Sequence, residues 1–447
     1  MCATPWWLVC SLVFGSVAAF AEPADETTRA PSPREAVIAS TLISIKQRLG
    51  LSGKLFQETA YRVGHPREFT KTRNGVLLTE RGHLTDALSY RATQRAYYDP
   101  VYAATDNFSS PAKHSQQLVG EIRETYLDYS NGPFDVRLGK QQIVWGDAVG
   151  LFFADVVNAK NLREYVLPDF DLIRIPQWAL DVEASEGNAH GEFVWLPVRA
   201  FHKLGVSGSE FVFPLPVPEG RSASFTDPSK PPASFSNSEV GGRVGYLLDG
   251  WDVSAFYFYT WDKFPVLFRT INGGVYTFAP EYRRANFLGV SFSKDLEDIV
   301  LKGELVVNPH AFFSTFDTQD PDGVVHRPVV DYLLGVDRSF GHIEANVQLM
   351  QRVIGNFEGF LANEEALRTH LSMRLKTDLL DGKLEPEILL IAGIGKEDLL
   401  YRPQLTWKAT NSLQVRVGAD VFQGNSSGLF GRFNDNSRLY TELAYFF

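Results

Sequence analysis

Apolar and polar residues alternate with a period of two along most of this chain. The clearest stretch holds Leu367, Thr369, Leu371, Met373 and Leu375 at odd positions and Arg368, His370, Ser372, Arg374 and Lys376 at even positions. Residues 343–349, 401–408 and 413–421 alternate in the same way. Successive side chains of a β-strand point to opposite faces, so this pattern predicts strands with one apolar and one polar face.

The alternation by itself fits two classes of β protein. In a soluble sandwich the apolar face forms the core, whereas in a membrane β-barrel it faces lipid and the polar face lines the lumen. The start of the chain favours the second class. Apolar residues run from Trp6 to Phe20, and the run closes on the small-x-small pattern of residues 19–21, which predicts a secretory signal peptide over residues 1–21.

The last residues of the chain also favour a barrel. Leu439, Thr441, Leu443, Tyr445 and Phe447 form one face of a final strand that ends in Phe. Such a strand is typical of the signal that the outer-membrane assembly machinery reads, and Leu443, Tyr445 and Phe447 are its predicted residues. No later stretch reaches the roughly 18 consecutive apolar residues of a spanning helix. We therefore predict an all-β protein, a transmembrane antiparallel β-barrel.

Short turns alternate with longer polar connections along the predicted barrel. The short turns are predicted at residues 131–132, 186–188, 249–250, 295–298, 340–341, 381–382 and 410–411. The longer connections are predicted at 200–238, 262–283, 308–327, 353–365 and 423–436. Outer-membrane barrels place short turns in the periplasm and long loops outside, and every short turn falls on the periplasmic side if the last strand ends there.

Counting backwards from Phe447 gives 15 strands as far as Val119. Three more are predicted at 51–63, 73–80 and 84–97, with the last two joined by a turn at residues 81–83. The total is about 18 strands, and 16 remains possible. The chain is therefore divided into a signal peptide (1–21), a periplasmic lead-in or small plug helix (22–48) and an outer-membrane barrel (49–447).

Composition restricts the function further. Hydrophobic residues make up 44% of the chain and aromatic residues 13%, as the alternation and the aromatic girdles of a barrel require. The net charge of −10 argues against a nucleic-acid partner. Both cysteines, Cys2 and Cys10, lie in the predicted signal peptide, so we expect neither a disulfide nor a cysteine metal site in the mature protein. We also predict no other metal site and no cofactor.

The most distinctive stretch of the sequence is 135–176. Its residues include Gly139, Lys140 and Gln141, then Trp145 and Gly146, then Asp155 and Asn158, and finally Arg174 and Pro176. This series resembles an uncharacterised family of proteobacterial outer-membrane proteins that carries Gly-Lys-Gln, Trp-Gly, Asp, Asn and Arg-x-Pro in the same order. The usual Asn-Pro is Asn158-Ala159 here. The resemblance implies a porin-like or exporter-like barrel, and it implies no substrate and no catalytic residue.

Residues 142–176 are too long and too apolar for a turn between two strands. Trp145, Phe152 and Phe153 would expose a large apolar surface in water, and lipid cannot accept irregular backbone. We therefore predict that the segment folds into the lumen as a constriction or partial plug, with a capping loop and a catalytic site as the alternatives. The predicted constriction residues are Lys140, Trp145, Asp147, Asp155, Asn158, Arg163, Glu164 and Arg174, and the predicted lumen-lining residues are Arg368, His370, Arg374, Arg402, Arg416 and Asp420.

These features favour transport of small solutes or hydrophobic molecules across the outer membrane. Since Glu304, Glu344 and Asp420 balance Lys302 and the four arginines of the predicted lumen, we expect no strong ion selectivity. A structural or surface-binding barrel is the alternative from another class, and an outer-membrane hydrolase is the least favoured because no hydrolase motif is present. The expected partners are outer-membrane lipids, the assembly machinery and components of envelope transport.

Overall fold

The computed structural model describes residues 50–214, 216–217, 221–362 and 364–447. The predicted signal peptide and the predicted lead-in lie outside the described residues.

Eighteen antiparallel strands form one closed sheet, labelled β1 to β18 in chain order. They are Ser52–Arg62, Glu68–His83, Leu88–Tyr98, Leu118–Asn131, Phe134–Gln141, Gln177–Glu186, Ala189–Val198, Glu239–Leu248, Trp251–Trp261, Arg284–Leu296, Ile299–Ser314, Val324–Phe340, Ile343–Ile354, Leu367–Thr377, Leu384–Ile394, Asp398–Lys408, Leu413–Gly424 and Arg438–Phe446. The first and last strands pair from Lys54 with Phe446 to Arg62 with Arg438, which closes the barrel. The prediction of a barrel with about 18 strands is confirmed.

The two strand faces separate as the alternation predicts. On β14, Leu367 and Leu371 are exposed on the outer surface, whereas His370 and Ser372 are buried on the inner one. The apolar face of each strand thus contacts lipid, and the polar face lines the lumen. Closure pairs the backbone groups of the two edge strands, so the sheet has no free edge.

The eight short turns, from the one between β2 and β3 to the one between β16 and β17, lie at one end of the barrel, and the other nine connections, which include all the long ones, lie at the other. The hairpin between β2 and β3 differs from the prediction, which placed its turn at residues 81–83. Pairing continues through His83 with Ser89, and the turn falls at residues 84–87. Thr85 explains the shift, because its hydroxyl accepts hydrogen bonds from the backbone N–H groups of Ala87 and Leu88.

Short elements lie within the long connections. The helices are Val101–Ala104, Ser110–Gln116 and Phe170–Ile173, with 3₁₀ turns at Phe235–Asn237 and Gly431–Asn436. Short strands at Ala159–Leu162, Arg174–Ile175 and Lys203–Leu204 pair with one another, as do Ala223–Phe225, Val266–Asn272 and Val275–Glu281. Within the described part of the chain, no helix has the length and apolar character needed to span a membrane.

Candidate functional site

Residues 142–176 connect β5 to β6 and lie inside the barrel. The backbone N–H groups of Asp147 and Ala154 donate to the Glu304 carboxylate on β11, at 2.5 and 3.0 Å. The N–H group of Val149 donates to the side-chain oxygen of Gln348 on β13, at 3.1 Å. Side chains of distant wall strands therefore satisfy the irregular backbone of the segment, as burial requires.

The first part of the segment packs against an apolar wall. Trp145 is buried, and its ring centre lies 5.1 Å from that of Phe256 and 5.7 Å from that of Phe258, both on β9. The indole N–H donates to Glu192 on β7 at 2.8 Å. Val157 belongs to the same buried cluster. The segment therefore packs without a gap against strands β6 to β11, and the indole N–H of Trp145 has a hydrogen-bond partner.

Three buried polar residues hold the two ends of the segment together. The Arg174 guanidinium donates to the Asp155 carboxylate at 2.6 Å and to Asp171 at 3.3 Å. Asn158 is fully buried, accepts a hydrogen bond from the Ile143 N–H at 3.3 Å and donates to the Ile143 carbonyl. Breaking the buried pair of Arg174 and Asp155 would be costly, because it would leave an unpaired charge. These contacts therefore hold the segment in one defined structure.

A bulge in β4 fixes the returning end of the segment. Arg123 is the extra residue there, since Thr93 and Gln94 on β3 pair on either side of it. Its guanidinium donates to the carbonyls of Leu172 at 3.4 Å and Arg174 at 2.9 Å, and also to that of Asp171. The bulge therefore aims a cation at the carboxyl end of the short helix Phe170–Ile173, where cations are favoured.

The second part of the segment meets a charged wall. Glu164 pairs with Arg73 at 2.7 Å and with Lys71, both on β2. Burial opposes ionisation of Glu164, but Arg73 and Lys71 hold its pKa well below the usual range. Arg163 donates to the Asn161 side chain at 2.9 Å and pairs with Glu121 at 3.7 Å.

Strands β16 to β18 complete this charged wall. Arg402 donates to Asp420 at 2.8 Å and to the Leu167 carbonyl at 2.7 Å, so it joins the wall to the segment. Asp420 also accepts from Arg438 at 2.9 Å. Arg416 lies 3.3 Å from Glu442 and 3.6 Å from the Asp169 carboxylate of the segment.

The remaining predicted lining residues face the lumen from β14, and they contact carboxylates. His370 Nε2 lies 3.0 Å from Asp398, whose carboxylate also accepts backbone N–H groups of the 425–437 connection. Arg374 donates to both Glu387 oxygens, at 3.1 and 2.9 Å. Arg368 pairs with Glu364 at 3.1 Å.

Two further connections enter the lumen beside the 142–176 segment. Phe211 from the 199–238 connection and Phe430 and Phe433 from the 425–437 connection are buried in one cluster with Tyr165. The ring centres of Tyr165 and Phe433 lie 4.9 Å apart, and those of Phe211 and Phe433 lie 5.3 Å apart. The plugged part of the lumen is therefore built from three connections, of which the sequence predicted one.

A cleft remains between residues 161–172 and the charged wall. Its lining includes Glu58, Lys71, Arg73, Arg95, Glu164, Arg402, Arg416, Asp420, Arg438 and Glu442. A second cleft lies between residues 148–150 and strands β14 to β16. Pro168, Asp169, Arg402 and Gln404 line both clefts, so the two adjoin each other.

The chain matches, over residues 78–357, a family described as "Protein of unknown function (DUF1302)". This match covers more than half of the sequence. The chain belongs to the DUF1302 family. The resemblance to an uncharacterised outer-membrane family is thereby confirmed.

Solved structures with the same fold are outer-membrane porins. OccAB1 of Acinetobacter baumannii superposes with a TM-score of 0.52 at 10% identity, covering 89% of this chain and 95% of that one. OccK8 (OprE) of Pseudomonas aeruginosa gives 0.52 at 10% identity, with 89% and 97% covered, and the outer membrane protein OpdK of the same organism gives 0.50 at 10%, with 89% and 98% covered. No curated protein matches the sequence. At this identity the likeness establishes the barrel fold for the DUF1302 chain.

Lys140 departs from its predicted place in this DUF1302 barrel. Leu138 on the same strand face and Trp178 across from Lys140 are exposed on the outer surface, and the Lys140 amine donates to the Ile122 carbonyl at 2.6 Å. Residues two apart on a strand share a face, so Lys140 lies on the outward face of β5 at its loop end. The prediction that it lies in the lumen constriction is therefore wrong. The neighbouring Gln141 is the residue that is fully buried.

The other predicted residues divide by position. Trp145, Asp155, Asn158, Arg163, Glu164 and Arg174 lie within the lumen, and Asp147 reaches it through its backbone N–H while its side chain is exposed. Leu443 and Tyr445 face outward on β18, and Phe447 exchanges two backbone hydrogen bonds with Gly53, each 3.0 Å long. Their roles in constriction and assembly stay predictions.

Sequence reasoning missed several wall residues that contact the segment. Lys71 and Arg73 are two residues apart and so share a strand face. They were missed because they lie before or at the start of the strand predicted at 73–80. Glu304 was expected among the lumen charges but not as a partner of the segment, and Glu192 stood out no more than other strand carboxylates. Only the fold shows that both accept hydrogen bonds from the segment.

Proposed function

We propose that this DUF1302 protein is an outer-membrane channel that passes small polar solutes along the cleft beside residues 142–176. The observation that carries the proposal is the asymmetry of the segment's contacts. Its Trp145 side is sealed against strands β6 to β11, whereas charged side chains line the adjoining clefts on its Glu164 side. Space lined by charges retains water and suits polar solutes.

The same lining disfavours a route for hydrophobic molecules. The buried apolar residues of the lumen, such as Phe211, Phe258 and Phe430, are used in packing between the segments and the wall. An apolar solute moving through the cleft would pass arginines and carboxylates instead. Burying such groups against an apolar surface without partners is costly. The proposal is therefore transport of polar solutes rather than of hydrophobic ones, and it is not catalysis.

The test shortens the segment between Asp147 and Asp169 with a Gly/Ser linker. Losing the residues that divide the lumen should raise single-channel conductance in a planar bilayer while the barrel stays folded, since no barrel strand is touched. A matched control shortens the exposed stretch 226–235 of the 199–238 connection by replacement with the same linker. The control should conduct like the parent protein.

Three outcomes distinguish the alternatives. Higher conductance of the shortened protein alone supports the channel and its constriction. A channel whose conductance is unchanged by shortening would make 142–176 a cap, and a folded protein that conducts in neither form would favour a structural or surface-binding barrel. The proposal includes export to the outer membrane by the signal at 1–21 and assembly through the signal ending at Phe447. It also includes contact with outer-membrane lipids and handover of solutes to envelope transport components.

A further inference from the structure

Among the described side chains that line the first cleft, the buried hydrogen-bonding atoms without a partner are all donors, whereas those just behind the lining, Asp99 Oδ2, Glu121 Oε2 and Glu210 Oε1, are acceptors. Among its described lining residues, four buried side-chain atoms have no hydrogen-bond partner: Arg73 Nε, Gln116 Nε2, Arg416 Nε and Arg438 Nη1. Each is a nitrogen donor. Arg73 Nε lies 3.7 Å from Asp99 and Arg438 Nη1 lies 3.5 Å from Glu210, so these two have an attracting charge nearby but no hydrogen bond.

Arg95 has the largest unused capacity in this cleft. It lies on the inner face of β3, is only 7% exposed, and stacks near the rings of Phe56 and Tyr97 at 5.2 and 4.9 Å. Its nearest carboxylate, on Glu58, is 3.9 Å away, and Arg95 makes no hydrogen bond within the described part of the chain. The neighbouring Arg73, by contrast, has Glu164 at 2.7 Å. A buried guanidinium normally finds acceptors for its five donors, so Arg95 is prepared for an acceptor that comes from outside the wall.

The charges of the lining agree with this excess of donors. The cationic lining residues are seven, namely Lys71, Arg73, Arg95, Arg163, Arg402, Arg416 and Arg438. The carboxylates are five, namely Glu58, Glu164, Asp169, Asp420 and Glu442. Asp99, Glu121 and Glu210 pair with Arg73, Arg163 and Arg438 without lining the cleft. The balance of signs expected for the whole lumen therefore does not extend to the surface of this cleft.

We propose that the cleft binds small organic anions through their carboxylate groups, with Arg95 as the principal binding residue. The inference rests on the proposed channel and names the class of solute that it takes. A planar guanidinium fixed by aromatic rings can hold a carboxylate by two parallel N–H···O bonds. Such charge-assisted bonds in a site screened from bulk water are stronger than neutral ones.

Binding is tested on detergent-folded full-length protein by calorimetric titration with succinate, with inorganic phosphate as a second anion and ethylenediammonium as a cation. Succinate should bind, and the diammonium should not. Arg95→Gln should weaken succinate binding about tenfold, and Arg95→Lys should weaken it less because it retains the charge but not the fork. The matched control is Arg137→Gln, since Arg137 lies on β5 outside the cleft and already pairs with Asp128 at 3.1 Å.

Heat-modifiable mobility on gels verifies that each variant is a folded barrel. Equal succinate binding by the parent and Arg95→Gln would overturn the assignment, as would binding of phosphate without succinate. Bilayer recordings separate this failure from failure of the channel itself. A protein that conducts but binds no succinate keeps the proposed function and loses this inference. One that binds succinate through Arg95 but never conducts keeps the site and loses the channel.

Discussion

The 142–176 segment meets two walls of the same barrel in two different ways. Against strands β6 to β11 it buries Trp145 and Val157 on Phe256 and Phe258. Against strands β1 to β3 and β16 to β18 it places Glu164 among arginines and leaves a cleft. One wall excludes water, and the other retains space for it.

The difference shows how a barrel can hold a segment firmly and still leave a passage. Apolar burial contributes about 25 cal/mol per Å² without needing directional partners, so it suits the side that only has to hold. Ion pairs buried beside the cleft contribute little net stability, because the cost of desolvating the charges offsets much of their attraction. Their charged groups can leave a partner in the wall and bind a passing solute instead. We therefore assign attachment to the apolar wall and solute contact to the charged wall.

The strongest test of this division is Trp145→Ala. Truncation of a buried Trp costs about 3–5 kcal/mol, and here it also leaves Glu192 without its indole donor. The segment should detach, so that it becomes cleavable by protease in the folded barrel and the channel current becomes noisier. The control is Trp178→Ala, because Trp178 is exposed on the outer surface of β6. Equal protection of the segment in parent and Trp145→Ala would contradict the role of the apolar wall.

A smaller effect is expected from Glu304→Ala. The Glu304 carboxylate accepts the N–H groups of Asp147 and Ala154, and leaving buried donors unpaired costs about 1–3 kcal/mol. Protease cleavage should rise near residues 147–154 and less than in Trp145→Ala. Glu344→Ala is the control, since Glu344 lies on the exposed part of β13 and contacts no part of the segment. Cleavage that rises equally in both variants would mean that lumen charge, and not these two bonds, protects the segment.

The sequence predicted the parts of this arrangement that depend on local pattern. Period-two alternation and turn residues define strands and register. The apolar residues of 142–176 exclude water as its surroundings, and its irregular backbone excludes lipid. The contacts of Trp145 with Phe256 and Glu192 could not be predicted, because each joins positions far apart in the chain. Lys140 was misplaced because one residue of strand parity reverses the face of a side chain.

The entry of two more connections into the lumen was also beyond local pattern. Phe211, Phe430 and Phe433 lie in stretches rich in Gly, Ser and Asn, which are typical of exposed loops. Their burial depends on Tyr165 and on wall residues brought together only by closure. The asymmetry between the two walls is therefore a property of the closed barrel and not of any one segment.

The smallest expected effect concerns the charged wall and comes from Glu164→Gln. Glu164 engages Lys71 and Arg73, so removing its charge should free these cations for solutes. The preference for anions, measured as the reversal potential in a KCl gradient, should rise about two- to fivefold. This change is opposite in direction to that expected for Arg95→Gln.

The pH dependence of the Glu164 contact follows from its lowered pKa. A carboxylate with a lowered pKa in the folded state contributes its stabilisation fully above its ordinary value, about 4.3, and loses it as the pH falls through the lowered value. The difference between parent and Glu164→Gln should therefore stay constant from about pH 5 to pH 8. Glu183→Gln is the matched control, because Glu183 is an exposed lumen carboxylate on β6 that does not line the cleft. If both variants shift the reversal potential equally, the total charge of the lumen sets ion preference, and the charged wall has no special role in solute contact.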